Sequence, residues 1–156
     1  MKISLIALGS KMPDWVNQGY QDYAKRIASP WQIALHELPI PKRGKNAPID
    51  PLKNQEGQAL IHASQHATCR IALDEHGKNM DTKMLAQMLG ELRQQHSHIA
   101  FLMGGPDGHS RDCLAQCQIT WSLSPLTFPH GLVRIVVTEQ LYRAISIING
   151  HPYHRE

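Results

Sequence analysis

Long apolar runs are missing from this chain. None approaches the roughly 20 residues that a membrane-crossing helix needs, so no membrane segment is expected. Cysteine is scarce too. Cys69, Cys113 and Cys117 are an odd number with no secretory signature beside them, which argues against a disulfide framework. The opening stretch MKISLIAL is apolar but short and has no small-residue cleavage site after it. It reads as a first strand, and a cytoplasmic protein is expected. Phosphate-binding signatures are also lacking. No lysine follows the glycines in the G-x-x-x-x-G-K-[ST] register, and the first strand–helix junction, ALGSKMPD, has one glycine where a dinucleotide fold needs three. The formal net charge of +3 permits a nucleic-acid partner without demanding one. Cys113/Cys117 and His62/His66 each sit four apart, but nothing nearby completes a ligand set, so no metal is expected.

What is present is a regular alternation of strand and helix signals. Strands are expected at Lys2–Leu8, Trp31–Leu38, Cys69–Asp74, His98–Met103 and from Ile119 in ITWSLS. Helices are expected from Pro13 to Ile27, over Leu52–Gln65 with Leu52, Ala59, Leu60 and Ala63 inward, and after the capping residues Asp81 and Ser110, the last to about Gln118. The alternation implies one α/β domain over residues 1–156, with a mostly parallel five-stranded sheet between helices. The prolines and glycine of Pro39–Pro51 exclude regular structure there. The segment GLVRIVVTEQLYRAISIIN is a long helix whose Ile135, Tyr142 and Ile147 fall outside its main apolar stripe. It is either a central core helix or one shared between the core and a second subunit. Arg134 and Arg143 on it need partners, and Glu139 lies between them.

Ligands of open α/β sheets bind beyond the carboxyl ends of the strands. Three such ends are distinctive: ALD, GGPDG (Gly104–Gly108) and LSPLTFPHG (Leu123–Gly131). Gly104 has no side chain to obstruct a ligand, and Pro106-Asp107-Gly108 is a turn. Leu123, Leu126 and Phe128, stiffened by Pro125 and Pro129, can clamp a flat uncharged ring while backbone groups read its edge.

Together GSKMPDWV, KRGKN, FLMGGPDG, WSLSPLTFPHGLVRIVVTEQLYRA and NGHPYHRE resemble the large-subunit ribosomal RNA methyltransferase H family, across essentially the whole chain. These are SPOUT-class enzymes. The resemblance implies a C-terminal trefoil knot, S-adenosyl-L-methionine held in it by Leu73, Gly104, Leu123, Ser124, Pro125, Leu126, Thr127 and Phe128, and a homodimer built on the final helix. It also implies methylation of N3 of a pseudouridine in 23S rRNA, within assembled ribosomes. The reaction needs in-line geometry and loss of the N3 proton, with no metal. In the tail, Tyr153 can stack on a base, His154 can take a proton, and Arg155 can hold a phosphate or a developing anion. Lys42, Arg43 and Lys45 are candidates for RNA phosphate contacts. A non-catalytic ribosome-binding protein with an empty knot and a nucleotide-binding α/β domain are the competing readings.

Overall fold

A computed structural model describes residues 1–155. The elements in chain order are β1 (Lys2–Leu8), α1 (Asp14–Ala24), β2 (Gln32–Leu38), α2 (Ile49–Ala63), β3 (Cys69–Asn79), α3 (Thr82–Gln95), β4 (His98–Met103), α4 (Arg111–Ala115), β5 (Ile119–Ser122) and α5 (His130–Ile148). The five strands form one sheet in the order β2-β1-β4-β3-β5, and every pairing is parallel. All the carboxyl ends therefore lie along one edge.

The continuous apolarity of the central strands follows from burial on both faces. Side chains alternate between two cores. Ile3, Leu5 and Ala7 of β1 join Ile99, Phe101 and Met103 of β4 under Leu85 and Leu89 of α3 and Val137, Leu141 and Ala144 of α5. Ile6 and Leu8 join Ala100 and Leu102 on the other face, under Leu60 of α2 and Cys113 of α4. The caps form as the sequence predicts: Met84 N–H donates to Asp81 Oδ1 at 2.8 Å and Cys113 N–H to Ser110 Oγ at 3.2 Å. Among the described residues no helix is long and apolar enough to cross a membrane.

Several expectations need correction. Helix α2 starts at Ile49, inside the stretch expected to be irregular. Pro51 sits in its first turn, where a missing N–H costs no helical bond. The buried side of α2 is Glu56, Gly57 and Leu60, whereas Ala59 and Ala63 are exposed. A Cβ on Gly57 would stand 2.6 Å from Ser110 Oγ and 3.1 Å from Cys113 Cβ. The glycine that weakens the helix locally is what lets α2 and α4 touch. Helix α1 ends at Ala24 and α4 at Ala115, both short of the expected ends. Strand β3 runs five residues beyond Asp74, because it resumes after a bulge. Both Leu73 and Lys78 pair with Trp121 of β5, so residues 74–77 loop out between them.

Candidate active site

The bulge in β3, the turn after β4, the segment after β5 and the first turn of α5 enclose a cavity of about 700 Å³ at the carboxyl edge of the sheet. Of the residues implied to hold a cofactor, Leu73, Gly104, Leu123, Ser124, Leu126, Thr127 and Phe128 line it. Pro125 does not; it is exposed between Ser124 and Leu126, where it fixes the chain's φ. The loop is further set by a serine turn: Leu126 N–H donates to Ser124 Oγ at 2.9 Å, and Ser122 Oγ–H to Ser124 O at 3.2 Å. Leu126 is 71% exposed, an apolar side chain held at the rim.

Sequence reasoning missed the two histidines that brace this site. His109 is buried, and its Nε2–H donates to the Leu73 carbonyl at 3.0 Å. Its Nδ1 lies 3.8 Å from Cys113 Sγ, so a neutral ring receives a weak S–H donor there. Burial holds its pKa below the ordinary histidine value. His109 thereby ties the end of β3, just before the bulge, to the turn after β4. His130, at the start of α5, contacts the Gly104 and Gly105 backbone; burial, then the Arg134 charge, pushes its pKa down. The signal in the sequence was position: His109 directly follows GGPDG, and His130 lies within LSPLTFPHG.

Gly104 lines the cavity, and its surroundings within the loop are close as well. A Cβ there would meet the Gly108 carbonyl carbon and the His109 ring at 3.2 Å. A side chain at this position is therefore tight against the loop itself, and the loop would have to give by a few tenths of an ångström to admit one. Gly108 has φ +81°, and its N–H closes the turn on Gly105 O at 3.0 Å.

Arg134 and Arg143 have different partners. Arg134 is fully buried; it donates to Glu37 Oε2 at 2.5 Å and to the Gly9 carbonyl at 2.6 Å, not to Glu139. It joins α5 to the carboxyl ends of β1 and β2. Arg143 does pair with Glu139, at 2.5 Å.

The tail leaves α5 through a left-handed Gly150, with His151 N–H donating to Ser146 O at 2.8 Å. Tyr153 is not a free stacking platform. Its ring lies 4.5 Å from that of Tyr142, the Arg143 guanidinium sits 4.7 Å from its centroid, and its hydroxyl donates to Glu139 Oε1 at 3.1 Å. Arg143 Nη1 lies 3.3 Å from His154 Nδ1. An arginine only donates, so His154 accepts at Nδ1 and carries its proton on Nε2. Arg155 is exposed, and none of Tyr153, His154 and Arg155 lines the cavity of its own chain. Among the described residues no group of three or more His, Cys, Asp or Glu side chains is placed to hold a metal.

A family model described as "Predicted SPOUT methyltransferase" matches residues 1–154. The chain is 47% identical to a ribosomal RNA large subunit methyltransferase H of Hahella chejuensis, over all of both chains. It is 49% identical to one of Legionella pneumophila, over 99% of each. This chain belongs to the SPOUT methyltransferases, in the large-subunit methyltransferase H family. In solved structures its fold matches a probable methylase family protein of Haemophilus influenzae with a TM-score of 0.60, at 10% identity, over 99% of this chain and 70% of that one. SPOUT methyltransferases use S-adenosylmethionine, and the cavity suits such a molecule. Its lining combines the apolar Leu73, Leu123, Leu126 and Phe128 with glycine backbone, the carboxylates of Asp74 and Glu75, and the ammonium of Lys53. Trp121, another lining residue, has a buried indole N–H with no partner.

Proposed function

We propose that this protein methylates N3 of a pseudouridine in 23S rRNA, using S-adenosylmethionine, as a cytoplasmic homodimer acting on assembled ribosomes. The observation that carries the reading is the cavity: loops at three strand ends meet in one stiff, backbone-rich slot. When bound there, S-adenosylmethionine supplies a methyl group that is already electrophilic on its sulfonium. The chain's work is then placement. Leu123, Leu126 and Phe128 offer apolar surface to a flat ring, and Leu73 and Gly104 bring main chain to its edge. The reacting atoms must come within about 3–3.5 Å in line. The tail residues Tyr153, His154 and Arg155 serve the nucleobase side, with Arg155 opposing the negative charge that develops as the N3 proton leaves. The trefoil threading expected of the family belongs to this reading.

Dimerisation has its own support. No residue of α5 is fully exposed even in one chain, and Leu132, Val133, Ile135 and Val136 remain half-buried on its N-terminal part. Near that end lie the exposed Trp15, whose neighbour Val16 abuts Gly131, and Ile40, beside Gly9. Two exposed apolar side chains next to residues that pack near the start of α5 suit a second subunit.

Isothermal titration tests the donor site. S-adenosylmethionine and its demethylated product should both bind without magnesium. Absence of binding by either compound, with ribosome association retained, would replace this reading by a non-catalytic one.

A further inference from the structure

The loop between β2 and α2 carries Lys42, Arg43 and Lys45, and the three do not behave alike. Lys42 and Lys45 are exposed. Arg43 is exposed as a residue too, but its side chain is only 27% exposed and its guanidinium is engaged: Nη2 donates to Glu56 Oε1 at 2.6 Å and Nη1 donates to Asp107 Oδ2. Glu56 belongs to α2 and is 1% exposed, and its Oε2 has no hydrogen-bond partner. A Cβ on Gly105 would lie 2.6 Å from that oxygen. The carboxylate is thus pressed against the main chain of the turn that lines the cavity. A buried carboxylate persists when a cation pairs with it, and Arg43 is that cation. Its second arm reaches Asp107, within the same turn. Gly105 and Asp107 line the cavity, but Arg43 and Glu56 do not.

We propose that Arg43 is a positioning residue that couples the basic loop to the donor site. Resting on the function proposed above, it fixes the Gly104–Gly108 turn through Asp107 and Glu56, and the same anchorage presents Lys42 and Lys45 outward to RNA phosphates. A glycine-rich turn has much conformational freedom to lose, and ordering it beforehand strengthens binding. The coupling is reciprocal: a donor that settles the turn also settles the loop that meets RNA.

The test compares Asp107→Asn, Arg43→Ala and Arg43→Lys by titration with S-adenosylmethionine, by thermal unfolding, and by KM for ribosomes. Asp107→Asn is the clean variant, because it leaves the Arg43–Glu56 pair in place. Its donor Kd should rise about fivefold, the size of one partly screened ion pair, with a thermal midpoint near wild type. Arg43→Ala should weaken both donor and ribosome binding. Arg43→Lys should not restore donor affinity, since an ammonium cannot fork between two carboxylates as a guanidinium does. If donor affinity is unchanged in Asp107→Asn and Arg43→Ala, and lysine restores a raised ribosome KM, Arg43 is a phosphate contact and the coupling is wrong. A midpoint that falls in parallel with donor affinity in Asp107→Asn would also overturn it, in favour of a packing role. Should wild type itself bind no donor, the functional reading fails and the coupling with it.

Discussion

At the scale of single residues, the site is held by polar groups that never appear on a simple hydrophobic map. His109 is the clearest. It stays neutral because burial opposes its charge, and its one N–H is spent on the Leu73 carbonyl. The unfolded chain carries this ring at its ordinary pKa of 6.5, above the folded value. Above pH 6.5 neither state binds the proton. As pH falls below 6.5 the unfolded state takes it up first, so stability is lost by at most about 1.4 kcal/mol per pH unit from this group, until the folded pKa is reached. His98 and His130, also pushed down chiefly by burial, act with the same sign. His109→Gln, which can keep a donor toward Leu73, should flatten part of the fall in urea midpoint between pH 6.5 and 5. An unchanged slope would mean that His109 is charged in the fold or open to solvent. Gly104 shows the opposite hazard at this scale. Its Cβ position lies 3.2 Å from Gly108 and His109 while the residue also lines the cavity, so a substitution there would press on the loop as well as on any ligand.

At the scale of elements, the bulge in β3 matters most. Residues 74–77 are ejected from the strand so that Asp74, Glu75 and His76 reach the cavity rim, and the strand then resumes against β5. Gly77 makes the return possible: a Cβ there would stand 2.7 Å from the Thr120 carbonyl carbon and the Trp121 nitrogen, which are backbone atoms that cannot rotate away. Gly77→Ala should cost about 1–3 kcal/mol in denaturant unfolding and loosen the site. Gly90, inside α3 with nothing within 4 Å of its Cβ position, is the control. Gly90→Ala should stabilise by about 0.5–1 kcal/mol through helix propensity. Equal responses at the two positions would contradict the packing described. The sequence announced most elements through apolar periodicity, proline and capping residues, and Asp81 and Ser110 cap as read. It could not announce the bulge, since ALDEHGKN has no interruption that local pattern separates from a strand end followed by a loop. Nor could it reveal that the inner side of α2 is Glu56-Gly57 rather than an alanine stripe. A buried glutamate is decided by Arg43, thirteen residues away and in a loop without periodicity.

For the whole molecule, the parallel sheet aligns every strand end on one edge, which is why segments from three distant parts of the sequence meet in one cavity. That convergence was legible because the motifs themselves are unusual: paired glycines before Pro-Asp-Gly, and an apolar loop between two prolines. The partners of Arg134 were not legible, because Glu37 lies 97 positions away and only the fold brings it near. A homodimer should appear in sedimentation as a species of twice the chain mass. Trp15→Glu, which places a charge on the apolar surface near α5, should shift it toward monomer; a wild-type monomer at all concentrations would contradict the assembly proposed. The most direct measurement is incubation of ribosomes lacking the modification with methyl-labelled S-adenosylmethionine and the purified protein, followed by mapping of the labelled nucleotide. The account predicts label at N3 of one pseudouridine in 23S rRNA. No transfer, or transfer to a different atom or a different RNA, would contradict it.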